Sequence, residues 1–326
     1  MNARSLADFS LLQGLLEAVD VVVEVPGKTL LRAASARFAA GQVSAILGPN
    51  GAGKSTLMSV LTGQRRPGGG QVRLAGQTLS GYSPQDLARV RACVAQETQV
   101  AFEFTVREVV ELGRYPHRGQ PARHEAAIAL QAMQATAVDH LADRPLNTLS
   151  GGEKARVHLA RALAQVWEPV GERGGLFPPG RPKEKSTPSG GSEPHAVGER
   201  GGTISRWLLL DEPTAALDLQ HQHRMLQLAR DWARQQGVGV VAVLHDLNLA
   251  LRYSDRCVVL QGGQLVASGV TAKVLTPACI HQVWGVVAHP VPGESEGPVL
   301  QYVFEPGREC TVRHPGIPLA SSSLRG

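Results

Sequence analysis

The sequence predicts an α/β fold with a phosphate-binding strand–turn–helix at its centre, on three observations. The apolar run Val43-Ser-Ala-Ile-Leu47 feeds directly into Gly48-Pro49-Asn50-Gly51-Ala52-Gly53-Lys54-Ser55-Thr56. A second apolar run, Trp207-Leu-Leu-Leu210, ends in the adjacent carboxylates Asp211 and Glu212. Strand-like and helix-like stretches alternate over 15–95 and again over 207–270, the pattern of helices laid on a largely parallel sheet.

The first element is a phosphate cradle. Glycines at 48, 51 and 53 let the backbone curl until successive N–H groups, together with the positive end of the following helix, face one polyphosphate. Lys54 adds a point charge for the β and γ phosphates, and Ser55 supplies a hydroxyl for Mg²⁺, a hard cation that prefers oxygen. Buried parallel strands deliver acids to the edge of a sheet, so the run ending at Leu210 places Asp211 within reach of the metal. Glu212, one residue on, is placed to polarise a water attacking the γ-phosphorus.

Three more features follow in order. Gln96 comes after the apolar stretch Ala92-Cys-Val-Ala95, Leu149-Ser150-Gly151-Gly152-Glu153 opens a helical pattern running to about Gln165, and His245 follows Val238-Gly-Val-Val-Ala-Val-Leu244. Ser150, Gly151 and Gly152 form a second helix N-terminus suited to an anion. In this order, and with the phosphate cradle, the motifs resemble those of ATP-binding-cassette proteins. The resemblance implies a P-loop NTPase fold of that type: a RecA-like core, an antiparallel β subdomain and a helical subdomain carrying the signature Ser150-Gly151-Gly152. It also implies that Gln96 is the switch glutamine touching metal or water, that Ala215-Ala-Leu-Asp218 is the loop ending in the family's aspartate, and that His245 contacts the γ-phosphate. Expected ligands are ATP at residues 48–56, with Mg²⁺ held by Ser55, Gln96 and Asp211. Two copies are expected to pair head to tail, each signature closing on the nucleotide held by the partner's Lys54.

Within the family the text is most similar to importer ATPases of the iron-chelate group, the haemin type above all, over 15–290 apart from an interruption. Quoted matches include Ala101-Phe-Glu-Phe-Thr-Val106, Glu108-Val-Val-Glu-Leu-Gly113 and His281-Gln-Val-Trp-Gly285. Siderophore or corrinoid importers are the neighbouring alternative. A cassette ATPase acting on DNA or the ribosome is a remote one, since no heptads and only one cassette are present. Implied partners are two transmembrane permease subunits and, through them, a periplasmic solute-binding protein, with this chain on the cytoplasmic side of the inner membrane. Phe102, Phe104, Val109, Val110 and Tyr115, rimmed by Arg107, Arg114 and Arg118, are expected to form the apolar groove for a permease helix. One departure stands out: the family stacks adenine on an aromatic residue upstream of the cradle, whereas Val23 stands near that place here.

The rest of the chain is organised around this core. Residues 1–14 read as an N-terminal extension, 97–165 as the helical region with Glu125–Thr136 its clearest helix outside the signature, and 291–326 as a tail. Pro298-Val-Leu-Gln-Tyr-Val-Phe304 in the tail is either a small added strand or a loose end. Glu168 to Arg206 is rich in Gly, Pro, Ser and charge, with Gly171-Glu-Arg-Gly-Gly175 repeated at Gly198-Glu-Arg-Gly-Gly202. Such a composition cannot bury enough apolar surface to offset ordering entropy and is expected to be a surface loop without order. His221 and His223 lie on a helical stretch, Leu219–Gln236, with Leu219, Leu226 and Trp232 as its buried side; they are read as helix positions rather than metal ligands.

Composition narrows the function classes. Of 326 residues, 43% are hydrophobic, enough for a large core, and no apolar run approaches the roughly 20 residues that span a bilayer. Residues 1–13 lack a sustained apolar core, so secretion is not expected. The net charge of +5 comes without a Lys/Arg run or aromatic-basic interleaving, which argues against nucleic acid as a partner. Four cysteines show no paired spacing; Cys93 and Cys257 fall in apolar strands, where a thiol behaves as a small hydrophobe.

Overall fold

The computed structural model describes residues 14–95, 103–119, 125–167, 204–291 and 301–306. Expectations for Gln96, Phe102, Cys310, residues 1–13, the stretch Glu168–Thr203 and the end of the tail lie outside these. The chain builds β1 (Leu15–Val25), β2 (Lys28–Ala39), β3 (Val43–Leu47), α1 (Lys54–Leu61), β4 (Gly69–Leu74), β5 (Gln77–Thr78), α2 (Pro84–Val90) and β6 (Arg91–Val94). Then come α3 (Val106–Glu111), α4 (Glu125–Ala135), α5 (Gly151–Val166), β7 (Trp207–Leu210), α6 (Leu219–Gln236), β8 (Gly239–Val243) and α7 (Leu247–Tyr253). The described chain finishes with β9 (Arg256–Gln261), β10 (Gln264–Val270), α8 (Thr271–Val274), α9 (Pro277–Trp284), β11 (Val286–Pro290) and β12 (Tyr302–Pro306).

The strands sort into three sheets. The largest has the order β10-β9-β3-β8-β7-β6, with five parallel strands and β10 paired antiparallel at one edge. Its central strands β3, β8 and β7 are buried on both faces, as parallel strands covered on both sides must be. Val43, Ala45 and Leu47 of β3 enter one core with Leu208, Leu210, Val240 and Ala242. Ile46 enters the other with Trp207, Leu209, Val241 and Val243. That second core is closed by the antiparallel sheet β2-β1-β4-β5 through Leu16, Leu31, Phe38 and Leu74. Gly239, which interrupts an otherwise apolar run, makes room for a ring: a Cβ there would stand 2.4 Å from Trp207. Each large apolar side chain buried in this way contributes about 1.5–3 kcal/mol relative to exposure, so the strand ends that carry the charged residues are firmly anchored.

The first core continues into the helical region, where the structure corrects two expectations. Val109 and Val110 are 1% and 0% exposed, packed with α4 and α5 rather than lining a groove. Arg114 is also buried, its guanidinium bidentate on Glu125 at 2.6 and 3.0 Å and donating to the Ala164 carbonyl at 2.7 Å. Arg107 turns to Asp143 and Phe104 packs against the core. Of the expected apolar groove, Tyr115 is left at 62% exposure with Arg118 stacked over its ring at 4.6 Å. A six-residue helix wedged beneath two longer ones buries both of its adjacent valines, so neither reaches solvent. Leu219 is likewise 70% exposed; it is the first residue of α6, and the buried side is Met225, Leu226, Ala229, Trp232 and Ala233.

His221 and His223 are occupied structurally. The ring of His221 meets Asp218, the helix cap, at 2.8 Å, and that of His223 meets the Tyr253 hydroxyl at 2.6 Å. No cluster of potential metal ligands occurs among the described residues, and no described helix is long and apolar enough to cross a membrane. Cys93 sits in β6 and Cys257 in β9; burial raises both thiols, Cys257 to about 12. Of the tail alternatives, the strand holds: Tyr302–Pro306 pairs antiparallel with β11.

The interruption has a closed neck. Ile204 is 8% exposed in the second core, and Arg206 donates to the Val166 carbonyl at the end of α5 at 2.5 Å and to the Gln236 carbonyl at the end of α6 at 3.3 Å. Ile204 and Arg206, placed by the expectation inside the unordered stretch, therefore belong to the fold. Because closure cost grows by only about 0.6 kcal/mol per doubling of loop length, chain inserted between residues held this close costs little. Deleting Val170–Thr203 is expected to leave circular dichroism and ATP hydrolysis within twofold of the parent; an insoluble or inactive product would contradict the closed neck.

Candidate functional site

The turn after β3 needs glycine at two positions for reasons of space as well as backbone angle. Gly48 has φ +148 and a Cβ would lie 2.2 Å from the Leu260 carbonyl; Gly53 has φ +102 and a Cβ would lie 2.9 Å from the Leu31 side chain. The turn opens α1, whose first residue is Lys54. The Lys54 ammonium is 5% exposed and donates to the carbonyls of Gly48 and Pro49 at 2.9 and 3.1 Å. Burial lowers its pKa, while Glu212 and Asp211 pull it back up. A buried cation is costly unless paired, and here carbonyl dipoles and two carboxylates share the task.

The two acids stand at the end of β7, whose four residues are all buried. The Asp211 N–H is tied to the Val94 carbonyl of neighbouring β6 at 2.9 Å. The Asp211 carboxyl is pushed above its ordinary value by burial and by Glu212; Ser55, Lys54 and His245 act the other way. Its Oδ1 is buried and has no hydrogen-bond partner. Glu212 adopts φ +50, a left-handed conformation that costs a non-glycine residue of order 1 kcal/mol or more. The turn aims its carboxylate at His245, with Nε2 to Oε1 at 2.7 Å. His245 follows β8, and its side chain remains 47% exposed.

Glu212 and His245 line one cavity of about 670 Å³ together with Asn50–Thr56. A buried carboxylate oxygen with no protein donor, beside a serine hydroxyl and a lysine, fits a divalent cation with oxygen ligands. The floor of backbone N–H groups and the Lys54 ammonium fit a polyphosphate.

Comparison with known proteins agrees with the geometry. Residues 31–167 match the family model described as ABC transporter. The hemin import ATP-binding protein HmuV of Gloeobacter violaceus is 44% identical over 281 residues, covering 85% of this chain and 90% of that protein. HmuV of Methylobacillus flagellatus is 41% identical, covering 82% and 87%, and HmuV of Escherichia coli O157:H7 is 38% identical, covering 83% and 92%. The chain belongs to the ATP-binding-cassette family of transporter ATPases. Among solved structures, an inward-facing metal-chelate type ABC transporter superposes with a TM-score of 0.65 at 24% identity, covering 90% of this chain and 97% of that one. A dimeric bacterial ABC transporter cassette superposes with a TM-score of 0.61 at 23% identity, covering 78% and 98%. The three-sheet and helical architecture is therefore that of the cassette.

Not every cassette motif reaches the cavity of its own chain. Ser150 caps α5 in a reciprocal box: its hydroxyl accepts from the Glu153 N–H at 3.3 Å, and the Glu153 carboxylate accepts from the Ser150 N–H at 2.8 Å. The Ser150 N–H and the Ser150 hydroxyl both donate to the Glu153 carboxylate, and these bonds hold it below its ordinary pKa. Gly152 lies against the loop before α6, where a Cβ would stand 3.3 Å from the Ala216 carbonyl. Asp218 caps α6 through the His221 N–H at 2.8 Å. None of these residues lines the cavity around Lys54. Gln165 ties the signature helix to the strand before Gln96, donating to the Ala88 and Arg91 carbonyls at 2.7 and 3.0 Å.

Val23 does not face the nucleotide. It is 3% exposed and packed in the second core, outside the cavity lining, so its place near the family's stacking position gives it no access to that cavity. The wall beyond the phosphate cradle is made instead by Lys28, Thr29, Leu30 and Arg32 of the β1–β2 hairpin and by Gly262 and Gly263 of the β9–β10 turn. The Gly262-Gly263 pair between two β-type runs was a visible hairpin signal. Nothing local announced that it returns to the cradle.

The raised Asp211 pKa yields a testable sign. A carboxyl whose folded pKa exceeds its unfolded value costs stability when ionised; the cost is full above the raised pKa and vanishes as pH falls below the ordinary carboxylate value. Asp211→Asn is therefore expected to raise the thermal midpoint of the nucleotide-free protein at pH 7.5, with the gain shrinking toward pH 4, while Mg²⁺-dependent hydrolysis is lost. A lowered midpoint at pH 7.5 would contradict it.

Proposed function

We propose that this chain is the ATP-hydrolysing, energy-coupling subunit of a haemin importer, and that Glu212 and His245 carry the hydrolytic step. The observation behind the catalytic assignment is the 2.7 Å Glu212–His245 pair at the mouth of the cavity that holds Lys54. ATP lies with its phosphates over Asn50–Thr56, and Lys54 exchanges its carbonyl partners for phosphate oxygens. Ser55 and Asp211, with Gln96, would hold Mg²⁺, which would supply charge neutralisation for the phosphoryl group being transferred. Glu212 orients the attacking water and takes its proton, while His245 holds Glu212 in place and donates toward the γ-phosphate. With Ser150, Gly151 and Gly152 directed away from their own cavity, the reading supported is a head-to-tail pair in which each signature, assisted by the Asp218 loop, covers the partner's nucleotide.

The haemin cargo is carried over from relatives 38–44% identical over most of the chain. On that reading two permease subunits dock on the helical region at the cytoplasmic face of the inner membrane, and a periplasmic binding protein delivers haemin from the other side. Haemin itself does not touch this chain.

One reconstitution tests both parts. With permease and binding protein in proteoliposomes, haemin-loaded binding protein is expected to stimulate hydrolysis, whereas ferric siderophore or corrinoid complexes are not. Glu212→Gln is expected to lower kcat by about 10²–10⁴, the range for loss of a general base. Stimulation by a siderophore or corrinoid alone would reassign the cargo, and near-normal turnover by the glutamine variant would remove Glu212 from the chemistry.

A further inference from the structure

We propose that Asn248 is a positioning residue for His245, linking the nucleotide site to the C-terminal strand β12; the inference rests on the reading that His245 acts on the nucleotide. The side-chain amide of Asn248 uses both of its ends on one backbone residue. Nδ2 donates to the Tyr302 carbonyl at 3.1 Å, and Oδ1 accepts from the Tyr302 N–H at 2.8 Å. This is how one strand residue pairs with another, so the amide serves as an extra rung on β12. Tyr302 is itself fixed: it is 5% exposed and its hydroxyl donates to the Leu275 carbonyl at 2.9 Å.

On its other side Asn248 is joined to the catalytic loop. Its N–H donates to Asp246 Oδ1 at 2.7 Å, and the Leu249 N–H donates to the same oxygen at 3.0 Å. Asp246 caps α7 and directly follows His245. A hydrogen-bonded path thus runs from a strand anchored in the core, through Asn248 and Asp246, to the residue beside the imidazole. The arrangement meets a need, because α7 has only seven residues and a helix that short is marginal without outside support. A shift of about 1 Å at its start would stretch the His245–Glu212 contact beyond hydrogen-bonding distance. Misplacements of that size cost catalysis up to about 100-fold.

A purely structural Asn248 would only staple the hairpin. The two roles separate in steady-state hydrolysis of MgATP by the full chain. Asn248→Ala is expected to lower kcat about tenfold, within the range that misplacement allows, and to leave KM for ATP within twofold. Ala288→Gly, which weakens β11 opposite Phe304 of the same strand pair, is expected to lower the thermal midpoint while kcat stays within twofold. In a double variant with His245→Ala, Asn248→Ala is expected to add no further loss, because the residue it positions is gone. An unchanged kcat for Asn248→Ala, an equal kcat loss for Ala288→Gly, or additive losses in the double variant would overturn the proposal. Full activity of His245→Ala alone would instead sink the catalytic reading of His245 on which it stands.

Discussion

Lys54 is buried at the floor of the cavity, and a charge in that position persists only where fixed dipoles and opposite charges surround it. Two carbonyls of the glycine turn do part of this, and Asp211 and Glu212 do the rest across the end of the parallel sheet. That requirement orders much of the fold. β3 and β7 must end on the same edge of the sheet, flanking β8, so that one strand delivers the cation and the other the acids. Strands buried on both faces hold those ends still.

The same constraint makes the site responsive to a polyphosphate. Lys54 already donates to carbonyls, so an incoming phosphate replaces weak acceptors with charged ones rather than drawing a cation out of water. Asp211 is kept short of donors and close to Glu212, an arrangement unfavourable in the isolated protein and one that a bound metal ion would relieve. Glu212 adds backbone strain, which persists because β7 and the contact to His245 over-determine its position. The site stores cost where ligands supply compensation.

The central elements were legible because their chemistry is local. Gly48 to Thr56, the apolar run ending in Asp211-Glu212, and the helix start at Ser150-Gly151-Gly152 each declare themselves within ten residues, and the strand Trp207–Leu210 and helix Leu219–Gln236 fall where periodicity puts them. What escaped depends on partners distant in sequence. The burial of Val109 and Val110 is decided by α4 and α5 and not by their own short helix. Leu219 looked like core but begins its helix on the open side. Val23 shares its strand with the nucleotide-facing hairpin yet points into the second core. Asn248 gave no signal, since its partner Tyr302 lies 54 residues away. The role of Gly239 became clear only with the Trp207 ring beside it.

On the proposed reading, Lys54 and Asp211 are the two charges that a magnesium–nucleotide complex engages. A crystal structure of the Glu212→Gln variant with MgATP measures this directly. It is predicted to show the Lys54 ammonium within hydrogen-bonding distance of phosphate oxygens instead of the Gly48 and Pro49 carbonyls, with Asp211 Oδ1 facing the metal directly or through one water. Lys54 still on both carbonyls, or a metal bound away from Asp211 and Ser55, would contradict it.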